Sequence, residues 1–217
     1  MVQILMLLLI FLLGAGLLFL ANRFLGKAGL YSFIVFCIIL ANYQAYATFA
    51  LGGITIVPSI CLSVLMFIGL LVCFNRYGKN SAMTYFVICI VAACATQIMG
   101  IFINILAEIT VDWATIKVAL ASIIATTAST LVLLLLVAQF KKNGKDNYLT
   151  TYLALAITVF VDAIVFIFIV NVSVMPFGEL CVDIFHNWWQ KLIVAALGTF
   201  ALWLISRYQG SESKELK

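Results

Sequence analysis

Long runs of apolar residues, separated by short polar segments, follow one another along the chain. Seven of these runs are long enough for a helix to cross a hydrocarbon core of about 30 Å, which takes about 20 residues. They cover residues 2–21, 29–50, 54–74, 82–107, 117–140, 149–170 and 185–206. The pattern predicts an all-α fold, a polytopic transmembrane bundle of seven helices within residues 1–209. We claim no internal repeat from the sequence.

The composition agrees with a membrane protein. Hydrophobic residues make up 66% of the chain and charged residues 9%, whereas soluble domains carry about 25% charged residues. The first apolar run has no Lys or Arg ahead of it and is longer than the core of a signal peptide, so we interpret it as a helix of the bundle. The predicted partner is therefore the lipid bilayer, and no basic helix indicates nucleic-acid binding.

Charged residues alternate between the two ends of the predicted helices. Positive residues follow the first, third, fifth and seventh helices: Arg23, Lys27, Arg76, Lys79, Lys141, Lys142, Lys145 and Arg207. The other loops hold the acidic residues Glu108, Asp112, Glu179 and Asp183. Because positive loops stay on the cytoplasmic side, the N-terminus is predicted outside, and residues 210–217 form a polar cytoplasmic tail. We expect a multi-pass protein of a plasma membrane, of the bacterial inner-membrane type.

Two charged residues lie inside apolar runs, Asp162 in the sixth helix and Lys191 in the seventh. A lone charge in hydrocarbon is costly, so such residues are by default paired or functional. In antiparallel helices, a rise of about 1.5 Å per residue puts Asp162 roughly 12 Å and Lys191 roughly 9 Å below the same surface, so the two can pair. Two other interpretations stay open: Lys191 reaches outward to the interface without a partner, or the pair is purely structural.

Uncharged polar residues recur at a similar depth. Asn42 and Gln44 lie on the second helix, Gln97 on the fourth, and Thr158 on the sixth, one turn before the carboxylate. Polar groups that face lipid would lack hydrogen-bond partners. We therefore predict that these residues, with the two charged ones, line a solute-binding cavity on the outer side, between helices 2, 4, 6 and 7. Holding helices together is the alternative role of such side chains.

No set of catalytic or cofactor-binding residues emerges. The chain has one histidine and lacks H-E-x-x-H and G-x-S-x-G motifs, so we expect no enzyme activity. Its six cysteines show no C-x-x-C pair and no zinc-like spacing, so no metal site or cofactor is predicted. A lysine on the last of seven helices suggests a retinal Schiff base, but Lys191 lies near the surface and the third helix has no carboxylate.

Several short strings together resemble one transporter family. The second helix begins GKAGLYSFIVFCIILANYQ, the third ends FNRYGKNSA and the fifth begins KVALAS; the sixth carries VDAIVF and the seventh QKLIVAALGTF. In this order and spacing, over about residues 23–203, they resemble the queuosine-precursor transporter family, also called the vitamin uptake transporter (VUT) family. Its members are helical membrane bundles regarded as importers of deazaguanine bases. The resemblance implies a six-helix core preceded by an extra N-terminal helix.

The resemblance also maps onto individual positions. The matching residues are Asn42, Gln44, Tyr77, Gly78, Lys79, Ser122, Asp162, Lys191 and Thr199, and Lys117 stands where the family usually has Arg. Five positions that are charged in the family are occupied by Ala47, Leu71, Asn75, Leu133 and Gly198. A site of the family's kind would therefore keep the Asp162 and Lys191 charges but lose most of the others.

The sequence thus predicts an integral membrane transporter that imports a small base-like or vitamin-like solute. The alternative is a non-transporting membrane subunit or scaffold of a larger complex. Both interpretations leave open a membrane-protein partner or a homo-oligomer.

Overall fold

Five helices and one short β-hairpin make up the described part of the chain. The computed structural model describes residues 2–44, 49–51, 54–56, 58–145 and 147–215, with side chains described in 7–43, 58–145 and 147–204. In chain order the elements are α1 (Val2–Gln44), β1 (Phe49–Leu51), β2 (Ile54–Ile56), α2 (Ser59–Leu106), α3 (Trp113–Lys142), α4 (Tyr148–Asn171) and α5 (Phe177–Glu215).

Four of these helices are long and apolar enough to cross a membrane. Within the described residues they are Leu7–Tyr43, Ser59–Leu106, Trp113–Lys142 and Tyr148–Asn171, with mean hydropathies of 2.1, 2.5, 2.3 and 2.9. Helices of this length and hydropathy are stable in hydrocarbon because all their backbone groups bond internally. The chain is a multi-pass membrane protein, and its surroundings are a lipid bilayer.

The described residues form five helices rather than the predicted seven. Each of the first two contains two of the predicted spans, joined at a glycine with non-helical backbone angles. Gly26 in α1 has φ 56° and ψ −129°, and Gly78 in α2 has φ 82° and ψ 178°. Residues other than glycine rarely adopt such angles. The two spans in each of these helices therefore meet at a kink at the glycine.

Helix α2 folds back on itself at Gly78. The Tyr85 hydroxyl donates a 2.9 Å hydrogen bond to the backbone oxygen of Met66, and Cys89 Sγ lies 3.6 Å from Met66 Sδ. In a straight helix the 19 residues between Met66 and Tyr85 would span about 28 Å. Residues 59–77 and 79–106 are therefore the two antiparallel segments of a helical hairpin.

Helix α1 forms a second hairpin that lies alongside the first. Its contacts with α2 join residues 50 to 55 positions apart, and these pairs are Leu7 with Cys61, Asn22 with Tyr77, Tyr31 with Ser81, and Asn42 with Thr96. The difference in residue number between paired residues stays nearly constant along both segments. Each segment of α1 thus runs parallel to the corresponding segment of α2, with Gly26 beside Gly78.

The two hairpins also share a sequence pattern around their turns. Residues 22–27 read NRFLGK and residues 75–79 read NRYGK, each enclosing the non-helical glycine. Cys37 follows Gly26 by as many residues as Cys89 follows Gly78, and both cysteines are buried. The α1 and α2 hairpins are therefore alike in the sequence and backbone geometry of their turns.

A two-stranded antiparallel hairpin lies between α1 and α2, within an otherwise all-helical fold. Phe49 pairs with Ile56 and Leu51 with Ile54. Residues 49–50 and 54–56 were predicted to be helical because they are apolar. The string Ile-Thr-Ile consists of β-branched residues, which favour strands.

The last three helices complete the bundle, with α3 packed on α4 and α4 on α5. Asp112 caps α3, where its Oδ1 accepts 2.8 Å hydrogen bonds from the amide and the hydroxyl of Thr115. These two bonds lower the pKa of the Asp112 carboxyl below its ordinary value. Helix α4 begins with a capping box between Asn147 and Thr150. Helix α5 starts before its predicted span and continues to Glu215.

Candidate functional site

A cavity of about 210 Å³ lies where all five helices converge. It is in the half of the bundle that contains the end of α1 and the start of α2. The first two helices contribute Asn42, Ser59 and Ser63 as polar lining groups. A cavity between apolar helices with a few polar groups is the usual form of a small-molecule site.

The sixth and seventh predicted helices bring the two buried charges together in this cavity. Lys191 Nζ lies 2.6 Å from Asp162 Oδ2, and the two side chains are 8% and 12% exposed. Asp162 Oδ1 also accepts a 3.3 Å hydrogen bond from the Ser129 hydroxyl. The predicted pairing is confirmed, and Lys191 does not reach outward to the interface.

Trp188 and Lys191 both lie on α5, and the contacts of Trp188 with α4 hold the lysine in position. Its indole nitrogen donates a 3.2 Å hydrogen bond to the backbone oxygen of Ala156, and its ring packs edge-on against Phe160 at a centroid distance of 5.1 Å. Both partners belong to α4. Trp188 therefore ties α5 to α4 one turn before Lys191, which fixes the lysine opposite Asp162.

The ion pair leaves the cavity without net charge. Asp162 and Lys191 are the two charged residues among its described lining groups. Opposite charges at this distance attract strongly in a medium of low dielectric constant, but each charge lost its hydration on burial. Removing either partner would leave the other one buried and uncompensated.

Asn42 lines the cavity, but both ends of its carboxamide are occupied. Its Nδ2 donates a 2.8 Å hydrogen bond to Thr96 Oγ1, and its Oδ1 accepts one of 2.8 Å from Gln97 Nε2. Gln97 itself does not line the cavity. Asn42 and Gln97 thus join α1 to α2 and form part of the cavity wall, which is the helix-joining role expected as the alternative.

Two other predicted site residues lie elsewhere. Thr158 is fully buried outside the cavity lining, and its hydroxyl donates a 2.7 Å bond to the backbone oxygen of Ala154 one turn earlier. Threonines in membrane helices commonly bond their own backbone in this way. Gln44 ends α1, and its side chain lies outside the described residues. Of the six predicted site residues, the cavity brings together Asp162, Lys191 and Asn42.

Several lining residues were not among the predicted site residues. Ser122 and Thr126 enter from α3, and Ser59 and Ser63 from the first segment of α2, two spans that the prediction left out of the site. Asn187 enters from α5, which the prediction included. The site therefore includes the third and fifth predicted spans as well as the second, fourth, sixth and seventh. Ser59 and Ser63 are four residues apart, as are Ser122 and Thr126, and this spacing puts the two side chains of each pair on one helix face. That spacing could have identified both pairs from the sequence.

Three of the five positions at which the sequence was expected to depart from the transporter pattern lie in the apolar packing of this chain. Leu71 and Leu133 are 1% and 0% exposed within the core. A side chain at Gly198 would overlap Ile68, so α5 and α2 are in close contact there. Asn75 is exposed, and Ala47 lies outside the described residues. Among its described lining residues the cavity therefore has one ion pair, Asp162 with Lys191.

No protein-family model, no curated protein and no solved structure matches this chain. Among the described residues, no three His, Cys, Asp or Glu side chains come together to hold a metal ion. The functional argument therefore rests on the geometry and chemistry of the cavity.

Proposed function

We propose that this protein is a transporter of the plasma membrane that imports a small uncharged solute of base-like or vitamin-like chemistry. The observation that carries the proposal is the cavity of about 210 Å³ with the Asp162–Lys191 ion pair in its wall. An ion pair in a membrane bundle is costly to maintain and is typical of a substrate or ion pathway.

In this proposal the chain crosses the membrane seven times, with its N-terminus outside and its C-terminus in the cytoplasm. The support is the distribution of positive residues at the end that contains Gly26 and Gly78. Arg23, Lys27, Arg76 and Lys79 flank these glycines, and Lys141 Nζ lies 5.0 Å above the Phe74 ring near the same turns. Positive residues mark the cytoplasmic face. The cavity belongs to the opposite, outer half.

The solute class follows from the lining of the cavity. Because the two charges compensate each other, a solute with a net charge would lack a counter-ion, and a neutral one is favoured. Hydroxyl and amide groups provide hydrogen bonds, while side chains such as Ile38, Met66 and Phe166 provide apolar walls. A planar heterocycle with polar edges suits such a surface. The resemblance to the queuosine-precursor transporter family points to the same class.

Uptake of a labelled deazaguanine base tests the proposal. In cells that can neither make nor import the base, expression of the protein should restore uptake, and Asp162→Asn should abolish it. Asp183→Asn is the matched control, because it makes the same substitution on a carboxylate outside the cavity lining. Full uptake by Asp162→Asn would remove Asp162 from the site, and no uptake by the unmodified protein would contradict the proposed import of such bases.

A non-transporting membrane subunit is the second candidate. The burial of Leu71 and Leu133 in the core favours it, because these positions carry charges in the resembling family. Such a subunit would associate with a membrane protein or a second copy of the chain. A stable complex in mild detergent, combined with no effect of bases on thermal stability, would support this candidate over the transporter.

A further inference from the structure

The polar groups of the cavity fall into two classes, those that are already hydrogen-bonded and those that are not. Asn42 is held by Thr96 and Gln97, and the Ser63 hydroxyl donates to the backbone oxygen of Ile60 at 3.0 Å. Each of these groups is already held in place by bonds within the protein, so it shapes the wall of the cavity. The groups without a protein partner are the ones most in need of a ligand.

Asn187 is the clearest of the remaining groups. Its Oδ1 is buried and has no hydrogen-bond partner among the described residues. The side chain lines the cavity one helical turn before Lys191, so both lie on the same face of α5. Buried polar atoms are nearly always hydrogen-bonded in folded proteins. An unpaired buried acceptor on a side chain that lines the cavity, one turn from an ion pair, is therefore a position suited to a ligand donor.

We propose that the carboxamide of Asn187 recognises a lactam or amide edge of the solute. A carboxamide presents one acceptor and one donor in a plane, and a lactam or amide presents the complementary donor and acceptor, so the two form a pair of hydrogen bonds. This inference rests on the proposed function and adds the chemical group by which the solute is selected. Lys191, one turn deeper, stays paired with Asp162 and keeps the site neutral.

Hydroxyl groups on α3 complete the polar surface. Ser122 and Thr126 line the same cavity and lie one turn apart on one face of α3. Neither hydroxyl makes a hydrogen bond to another described group, in contrast to those of Ser129 and Thr130, which bond to backbone oxygens at 2.7 Å and 2.6 Å. A hydroxyl can donate or accept, so these two can bond other edges of a heterocycle held by Asn187.

Thermal unfolding of the empty protein gives the first test. Asn187→Leu removes a buried acceptor that lacks a partner, so the melting temperature should rise by about 2–4 °C. A residue with a purely structural role would lower the melting temperature when replaced. Asn104→Leu is the control, because it makes the same change on the second segment of α2, outside the cavity lining. A fall in melting temperature for Asn187→Leu that exceeds that of the control would overturn the proposal.

Equilibrium binding to the purified full chain gives the second test, with hypoxanthine and purine as probes. The two bicyclic bases are alike except that hypoxanthine carries the lactam. Hypoxanthine should bind about tenfold or more tightly than purine, and Asn187→Leu should reduce hypoxanthine binding to the level of purine. Asn187→Asp supplies a second variant of similar size, and it should also weaken binding because a donor is replaced by a carboxylate without a counter-ion.

The outcomes separate this inference from the proposed function. If both bases bind equally, or if Asn187→Leu keeps the preference for hypoxanthine, the cavity binds bases but Asn187 does not select them. If neither base binds and labelled deazaguanine is not taken up, the importer proposal fails together with this one. If hypoxanthine is preferred and the preference disappears in both Asn187 variants but not in Asn104→Leu, this inference stands. The importer proposal stands with it if labelled deazaguanine is also taken up.

Discussion

The hydroxyl group of Tyr85 occupies the space that a side chain at Gly69 would need. Tyr85 is fully buried there and bonds to the backbone oxygen of Met66, one turn before Gly69. The aromatic ring of one segment of α2 thus packs directly onto the backbone of the other. This contact sets the distance between the two segments, and the first of them contributes Ser59, Ser63 and Met66 to the cavity.

Replacing Gly69 with alanine should destabilise the hairpin. The added methyl group would overlap the Tyr85 hydroxyl and displace it from Met66, and overpacking of this kind costs about 1–3 kcal/mol. Unfolding of the purified protein in detergent measures the loss. Gly100→Ala is the control, because nothing lies within 4 Å of that position. Equal stability of the two variants would contradict the close contact between the Tyr85 hydroxyl and the backbone at Gly69.

Gly78→Ala should be destabilising for a different reason. There is open space around Gly78, but its φ of 82° is strained for any residue with a side chain. We expect a loss of about 1–3 kcal/mol in unfolding free energy. Gly16→Ala, a helical glycine that also has open space around it, should instead be neutral or slightly stabilising. A stable Gly78→Ala variant would contradict the turn at this residue.

The ion pair allows structural and functional effects to be separated. Asp162→Asn leaves Lys191 buried without a counter-ion, which should cost about 3–5 kcal/mol in unfolding free energy. The double variant Asp162→Asn with Lys191→Met removes both charges and should recover most of that loss. Unfolding in detergent and labelled-base uptake should both be measured on the unmodified protein, on Asp162→Asn and on the double variant.

Uptake should stay abolished in the double variant even though its stability recovers. If uptake recovers together with stability, the pair serves only to hold α4 and α5 together. That result would favour the purely structural interpretation of Asp162 and Lys191.

The carboxamide network predicts a smaller effect. Gln97→Leu removes the 2.8 Å bond to Asn42 Oδ1 and should cost about 0.5–1.5 kcal/mol. Because Gln97 does not line the cavity, uptake should fall far less than in Asp162→Asn. Transport kinetics on both variants, normalised to the amount of protein in the membrane, provide the comparison. A complete loss of uptake in a folded Gln97→Leu protein would place Gln97 in the solute path.

Cysteine labelling tests the orientation. Cys181 is exposed near the start of α5, while Cys37, Cys61, Cys73 and Cys89 are buried. A membrane-impermeant thiol reagent should therefore label Cys181 in intact cells. With Cys181→Ser as background, Asn143→Cys in the turn after α3 should react only after the cells are permeabilised. The reverse pattern would place the cavity half of the bundle in the cytoplasm.

The sequence predicted those features that depend on hydrophobicity and depth. The apolar runs gave the helical segments, and the depths of Asp162 and Lys191 gave their pairing. The joins at Gly26 and Gly78 were missed because a glycine at positive φ lets two helices meet without a polar loop. The strands at 49–51 and 54–56 were missed because β-branched apolar residues also occur in membrane helices.

The site itself was predicted only in part, since packing decides which polar groups remain free. Asn42 and Gln97 were expected to bind solute, but they bond to each other across the two hairpins. Asn187 lies beside two tryptophans in the sequence, and this setting is typical of a membrane interface. Its Oδ1 is buried because α5 packs on α4, where Trp188 contacts Ala156 and Phe160, and no pattern within one helix can show such packing.

The order of the two hairpins along the chain has a consequence for how the nascent chain folds. The carboxamide of Asn22 is buried next to Tyr77, which is synthesised 55 residues later. The first hairpin is therefore synthesised before the residue that its buried carboxamide bonds. The α1 hairpin reaches its final packing only when the α2 hairpin follows it and covers this polar group.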